Sequence, residues 1–317
     1  MRRYLIWIAV FLLGFSAAAQ AEVVIVLDSG DGTITRINRS TFQPIDRFFV
    51  GREPHHLMSL PDNSALIVAN AVSNDLVFLN PVTGDILRRV PRISDPYQIA
   101  FSPDKRWFVS NSLRLDRVDV YDARDFSLVK RFDLPSMPSH LTFNQDSSEV
   151  FVTLQGSDQL VAIDLKTLQV KWTLPVGKTP AGVIMTPDNR YLLVGVMGQD
   201  EVAVVDWRTA TLVKHIHAGK GTHNFMPMGD GRRIFVTNRA EDTISIVDTQ
   251  TLTIERTFAV PGGPDCMEIS ADGRQLWVTS RWLRQVAVVD LTTFTVVRTI
   301  PVGRSPHGIF FASHASR

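Results

Sequence analysis

Cysteine is nearly absent from this chain: Cys266 is the only one in 317 residues. An internal disulfide is therefore excluded, and so is covalent attachment of c-type haem, which needs a pair of cysteines. Charge of one sign is lacking too, with 33 basic against 32 acidic residues. That balance argues against a nucleic-acid partner, which calls for a basic stripe or patch. Beyond the first residues no apolar run approaches the ~18 residues that a membrane-spanning helix requires. Runs of helical period are missing, as are a phosphate-cradling Gly-rich loop before a helix, an H-E-x-x-H pair and a G-x-S-x-G elbow. The "DSGDGT" of Asp28–Thr33 lacks the ligand spacing and closing glutamate of a calcium loop, and reads instead as a tight turn.

What is present begins with "MRRYLIWIAVFLLGFSAAAQA". Two arginines, an apolar run from Tyr4 to Phe15 and small residues ending at Ala21 have the build of a secretory signal with an A-x-A cleavage site. Residues 1–21 are thus expected to be removed, leaving 22–317 as one exported domain, with a bacterial periplasm as its address. No cysteine follows the small residues, so no lipid anchor is implied, and without Arg2 and Arg3 the net charge is about −1.

Periodicity gives the architecture. An aspartate recurs at Asp62, Asp104, Asp146, Asp188, Asp230 and Asp272, each 42 residues after the last. Asn38, Asn80, Asp122, Asp164, Asp206, Asp248 and Asp290 keep the same interval, as do Pro54, Pro96, Pro138, Pro180, Thr222, Pro264 and Pro306. A period near 42 is the length of a four-stranded propeller blade. Within a unit such as Arg232 to Val260, the apolar "IFVTN", the alternating "TISIVD" and the β-branched "TIERTFAV" read as strands bounded by turn residues.

Six whole units run from about Val50 to Ile300. The segment before them supplies three strands of a unit, because Asn38 holds the place of Asn80. The segment after them supplies the missing first strand, because Pro306 holds the place of Pro264. Together they predict an all-β, seven-bladed propeller whose last blade is closed by the N- and C-terminal strands, a closure that removes open sheet edges. A monomer is expected.

The stretches "FVTN" at Phe235–Asn238, "IVAN" at Ile67–Asn70, "SPDK" at Ser102–Lys105 and "VGKTPAGVIMTPDN" at Val176–Asn189 resemble the YVTN-type (YncE-like) β-propeller repeat. The resemblance spans residues 22–317 and implies the fold. Such propellers include ligand binders and haem-binding oxidoreductase modules, so no single activity is implied. "FVTLQ" at Phe151–Gln155 and "LVGVM" at Leu193–Met197 depart from the pattern and put a local turn in question.

Winding the repeat into a ring gathers histidines. The residues directly after the repeated proline are His55, Tyr97, Ser139, Ala181, His223, Asp265 and His307. The next are His56, Gln98, His140, Gly182, Asn224, Cys266 and Gly308. Five of the chain's eight histidines occupy these fourteen positions, which begin the innermost strands beside the channel. Strand alternation leaves open which of the two rings faces the axis. His223, Asp265, His307 and His55 come from consecutive blades and should form an arc of three imidazoles and one carboxylate. Tyr97, Ser139 and Ala181 opposite are expected to leave room.

Imidazole and carboxylate suit zinc, copper, iron or nickel, and the same groups suit acid–base work near neutral pH. His55, His223, Asp265 and His307 are therefore the candidate metal set, with Tyr97, Arg239, Arg281, His56 and His140 as candidate cofactor-binding neighbours. Arg239, Arg281, Trp282 and Arg284 overhang the arc, and Arg52, Lys178, Lys220 and Arg304 add charge to the rim. Such a rim would suit an anion, unless Glu53, Glu241 and Asp242 neutralise it. Cys266 reads as a small packing residue; facing the axis, it would be a soft ligand or redox-sensitive thiol. The expected function is an exported binding or accessory protein for a metal, or for an anionic cofactor such as a haem-like group. The alternatives are a hydrolase, lyase or oxidoreductase using the same arc, and a scaffold for another exported protein.

Overall fold

The computed structural model describes residues 22–315; the leader expected at residues 1–21 lies outside them. Among the described residues all regular elements are strands, in seven antiparallel sheets of four. Blade one runs outward from the axis as Pro54–Ser59, Leu66–Asn70, Asp75–Leu79 and Ile86–Pro91. The seventh closes as expected: Pro306–Phe310 pairs antiparallel with Val23–Asp28, Ile25 lying opposite Phe310 and Val26 opposite Ile309. Past the closing strand, Ser313 donates its N–H to Glu22 (2.5 Å), while Arg39 pairs with the other oxygen of the same carboxylate.

The repeated acids are turn-makers. Asp62, Asp104, Asp188 and Asp272 each accept the backbone N–H two residues on. Asn38, Asn80, Asp164 and Asp248 do so at the outer turns. Such Asx turns let a short side chain take the place of a backbone acceptor, which is why the marks hold their phase. The "DSGDGT" stretch is the tight turn predicted, with Asp31 and Gly32 both donating to the Asp28 carbonyl.

Middle strands are covered on both faces by neighbouring blades, so apolar runs and alternating runs alike are buried. The alternation in Thr243–Asp248 marks no solvent face: Ser245 is buried and donates to the Ala218 carbonyl (3.0 Å). The core lies between blades. Each interface has its own apolar cluster, as where Phe151 of blade three meets Val194 of blade four, or Trp277 of blade six meets Phe311 beyond blade seven. Burial of this kind supplies about 25 cal/mol per Å² of apolar surface removed from water. Outer strands such as Ile86–Pro91 are mostly exposed.

Two features shape the channel. Six of the seven inner strands carry a register shift directly after the proline position. A bulge sets two residues against one and breaks the strict alternation of faces. The second-strand threonine fills that gap. Thr153 accepts the His140 N–H and donates to the Ala181 carbonyl of the next blade; Thr279 does the same for Cys266 and His307. In blade four the position is Gly195, and a Cβ there would lie 2.8 Å from the His223 carbonyl oxygen. Val196 stands in that blade where Asn70 and Asn238 stand in others, yet the turn keeps its backbone bond from Gln199 N–H to the Val196 carbonyl (3.2 Å), and Gln199 accepts the Lys178 N–H (2.8 Å) as Glu241 accepts that of Lys220.

Candidate functional site

Because of the bulges both rings of residues reach the channel. Toward the mouth lie His55, Tyr97, His223, Asp265 and His307. Below them His56, Gln98, His140, Asn224 and Cys266 line a cavity of about 190 Å³. A second pocket of about 410 Å³ opens above, lined by Ser29, Gly30, Glu53, His55, Tyr97, Arg281 and Ser305. His55 belongs to both and is part of the wall between them.

That wall is a closed girdle. His307 Nε2 lies 3.5 Å from Asp265, and the His307 ring lies against His55 with centroids 4.0 Å apart. His55 stacks on Tyr97 at 3.7 Å, Tyr97 meets His140 edge-on at 6.1 Å, and His140 meets His223 at 5.1 Å. His223 Nδ1 returns to Asp265 at 3.5 Å. The arc of His223, Asp265, His307 and His55 is thus assembled as the ring order requires. The room expected opposite it is not open at this level, because His140 reaches past Ser139 and Ala181 to touch His223. Blade four permits this by standing close: a Cβ on Gly182 would lie 2.1 Å from the His223 carbonyl oxygen.

Hydrogen bonding assigns the protons. His55 Nδ1 faces the Tyr97 carbonyl at 2.9 Å, so it carries the hydrogen and leaves a lone pair on Nε2. Gln155 donates to Ser139 Oγ (2.6 Å), which then donates to His140 Nδ1 (2.7 Å). His223 Nδ1 and His307 Nε2 both face Asp265. At 3.5 Å these are electrostatic contacts rather than full hydrogen bonds, and both nitrogens, like Asp265 Oδ1 and Arg239 Nε, are buried without a hydrogen-bond partner.

Charge is distributed unevenly. Asp265 is wholly buried and pairs with Arg239 (2.5 Å) and Arg281 (3.1 Å), two rim arginines from neighbouring loops. Burial alone would raise its carboxyl, but Arg239, the two imidazoles and Arg281 hold it well below the usual range. Burial, reinforced by the guanidiniums and neighbouring imidazoles, pushes His55, His223 and His307 well below their ordinary value and His140 down to about 3. At neutral pH the centre therefore holds two guanidiniums, one carboxylate and four neutral imidazoles. Glu53 does not offset this, since it pairs with Arg114 (2.9 Å), while Arg304 pairs with Asp31. Trp282 projects from the same loop as Arg281 and is 58% exposed.

These shifts predict acid sensitivity. In the unfolded chain the histidines protonate near pH 6.5; in the fold they stay neutral to lower pH. Folded values below unfolded ones mean stability that is complete above about pH 6.5 and lost as pH falls toward the folded values, by about 1.4 kcal/mol per unit for each histidine. The urea midpoint is expected to fall steadily from pH 6.5 to 5, and less steeply in His140→Gln. A midpoint flat across that range would show the imidazoles to be solvated.

For a metal, the donors that converge are Asp265, Cys266 and His307, one atom of each within 4.8 Å of the others. Cys266 packs against the apolar cluster of Trp277 and Phe311, as expected of a small residue, and its Sγ also lies 3.5 Å from His307 Nδ1 and 3.5 Å from Asn224 Nδ2. The ring positions of these three residues follow from the repeat but their convergence does not, and its only trace in the sequence is the Asp–Cys pair one blade before His307.

A family model for YNCE-like beta-propellers matches residues 7–317. No curated protein matches the chain. Among solved structures, a functionally unknown protein from Desulfotomaculum acetoxidans aligns at TM-score 0.79 and 12% identity, over 93% of this chain and all of that one. The dihydro-heme d1 dehydrogenase NirN, in complex with DHE, aligns at 0.67 and 17%, over 92% of this chain and 75% of that one. A putative 6-phosphogluconolactonase from Bacteroides uniformis aligns at 0.72 and 16%, over 92% and 100%. At such identities the likeness is one of fold.

Proposed function

The chain belongs to the YNCE-like beta-propeller family, and from that premise we propose that it is an exported protein binding an anionic small molecule at the mouth of its channel. The observation carrying this reading is the pairing of two guanidiniums with one buried carboxylate, in a centre whose four imidazoles are neutral. One positive charge is left over, with Arg239 Nε buried and unpartnered beside it. Arginine presents paired donors to carboxylate or phosphate, and Arg281, His55 and Tyr97 also line the 410 Å³ pocket. A bare divalent cation suits this centre poorly, because it would meet two guanidiniums already seated on Asp265.

An anionic cofactor containing its own metal is the second form of the same reading. His55 favours it, since its Nε2 carries a lone pair at the pocket wall; a haem-like group would offer carboxylates to the arginines and its metal to an imidazole. NirN, a fold neighbour solved with DHE, makes that class a sensible probe.

The test is calorimetry with organic carboxylates, phosphate monoesters, haemin and metal-free protoporphyrin. At least one should bind the wild type and lose tenfold or more in affinity in Arg281→Gln, which removes a charge-assisted contact of about 1.5–3 kcal/mol. If haemin is the ligand, His55→Gln should bring its affinity down to that of protoporphyrin. Equal binding by wild type and Arg281→Gln would refute the assignment.

A further inference from the structure

Beneath the girdle, on the side away from the mouth pocket, the channel cavity brings together sulfur and imidazole with nothing in the anion reading to employ them. We propose that Cys266 and His307 form a binding site for a soft monovalent metal ion, Cu(I), in this lower cavity. Cys266 Sγ and His307 Nδ1 are 3.5 Å apart. That is also the separation of sulfur and nitrogen donors on one metal with bonds of about 2.3 and 2.0 Å at tetrahedral angles, a coordination that two ligands alone do not impose and that the thioethers of Met226 and Met267 would complete. With its hydrogen on Nε2, which faces Asp265 at 3.5 Å and is otherwise unpartnered, His307 would turn the Nδ1 lone pair to the sulfur. A carboxylate behind a histidine, fixing the tautomer that ligates, is the usual outer-shell arrangement at metal sites. The cavity of about 190 Å³ has room for an ion, and Met226 and Met267 line it with Cys266 and His307.

Charge selects the metal. Binding replaces the thiol hydrogen: Cys–SH and Cu⁺ give Cys–S–Cu, and the proton leaves to solvent. One positive charge enters as another departs, so Arg239 and Arg281, both seated on Asp265, meet no added repulsion. Zn²⁺ in the same place would add a net positive charge beside two guanidiniums. Thiolate and thioether donors also prefer Cu(I) over harder ions. No electron transfer is involved, since copper enters and stays as Cu(I).

The test uses the whole folded chain, reduced and under argon, with Cu(I) supplied as its acetonitrile complex and competed by bathocuproine disulfonate. Wild type is expected to retain one Cu(I) per chain, and Cys266→Ser none. Asp265→Asn should weaken retention by about 10–100-fold, as loss of an outer-shell partner does. Arg281→Gln should leave the stoichiometry at one, and Cys266→Ser should leave anion binding at the mouth intact, so the two sites fail independently. Cys266→Ala and circular dichroism guard against a variant that merely unfolds. Complete transfer of copper from wild type to the chelator, equal retention by folded Cys266→Ser, or tighter binding of Zn²⁺ than of Cu(I) would overturn the site.

Discussion

Gly182→Ala is expected to destabilise the protein by about 3 kcal/mol or more, at the upper end of the range for overpacking. The added methyl would lie 2.1 Å from the His223 carbonyl oxygen, 3.1 Å from its carbon and 3.2 Å from Asn224 Cα. All three are backbone atoms of the adjoining inner strand, so no side chain can turn aside to make room. Blade five must move outward, and with it His223, opening the girdle where His140 now touches it. Gly195→Ala, facing the same oxygen at 2.8 Å, should cost less. Gly231→Ala, with nothing within 4 Å of its Cβ, should cost mainly the strain of a positive φ. Urea melts of the three variants check the order, and a Gly182→Ala midpoint equal to wild type would mean that blades four and five are not in contact at this point.

That glycine illustrates what could be read from the residues and what could not. The period of 42 was legible because Asx turns need Asp or Asn at fixed places, so the turn chemistry writes itself into the sequence once per blade. Closure by the termini was legible because Asn38 and Pro306 keep the phase of complete units. The ring positions of His55, His223, Asp265 and His307 followed from the same counting. Which ring faces the axis did not, because the bulge after the proline leaves no residue-type signature, and it brings Cys266 and His140 to the channel together with Asp265. Nor did the sequence disclose that Arg239 and Arg281 converge on one carboxylate. Rim arginines are commonly solvated, and Glu53 and Asp242 stood near enough in the chain to neutralise them. The structure gives Glu53 to Arg114 and sets Asp242 to accept the Gly262 and Gly263 N–H groups. The His140–His223 contact depends on how closely two blades approach, a quantity carried by Gly182 and Gly195 rather than by either histidine.

Asp265→Asn should cost about 3–5 kcal/mol, the range for removing one partner of a buried ion pair. Were the contacts of the surface kind, the loss would be under about 1 kcal/mol; complete burial of the carboxylate decides for the larger figure. Arg239 and Arg281 are 18% and 27% exposed along their side chains, so they can turn partly toward water, which places the expectation near the lower bound. Two further results separate a charge effect from a packing effect, since asparagine nearly matches aspartate in shape. Arg239→Gln combined with Asp265→Asn should recover much of the loss, because one of the two stranded guanidiniums is gone. Phosphate should raise the melting temperature of Asp265→Asn more than that of wild type, by pairing from the mouth side with the guanidiniums that the carboxylate no longer neutralises. If the single variant is as stable as wild type, or if phosphate acts on both alike, the positive charge at the channel mouth is already satisfied by solvent, and the anion site has no electrostatic basis.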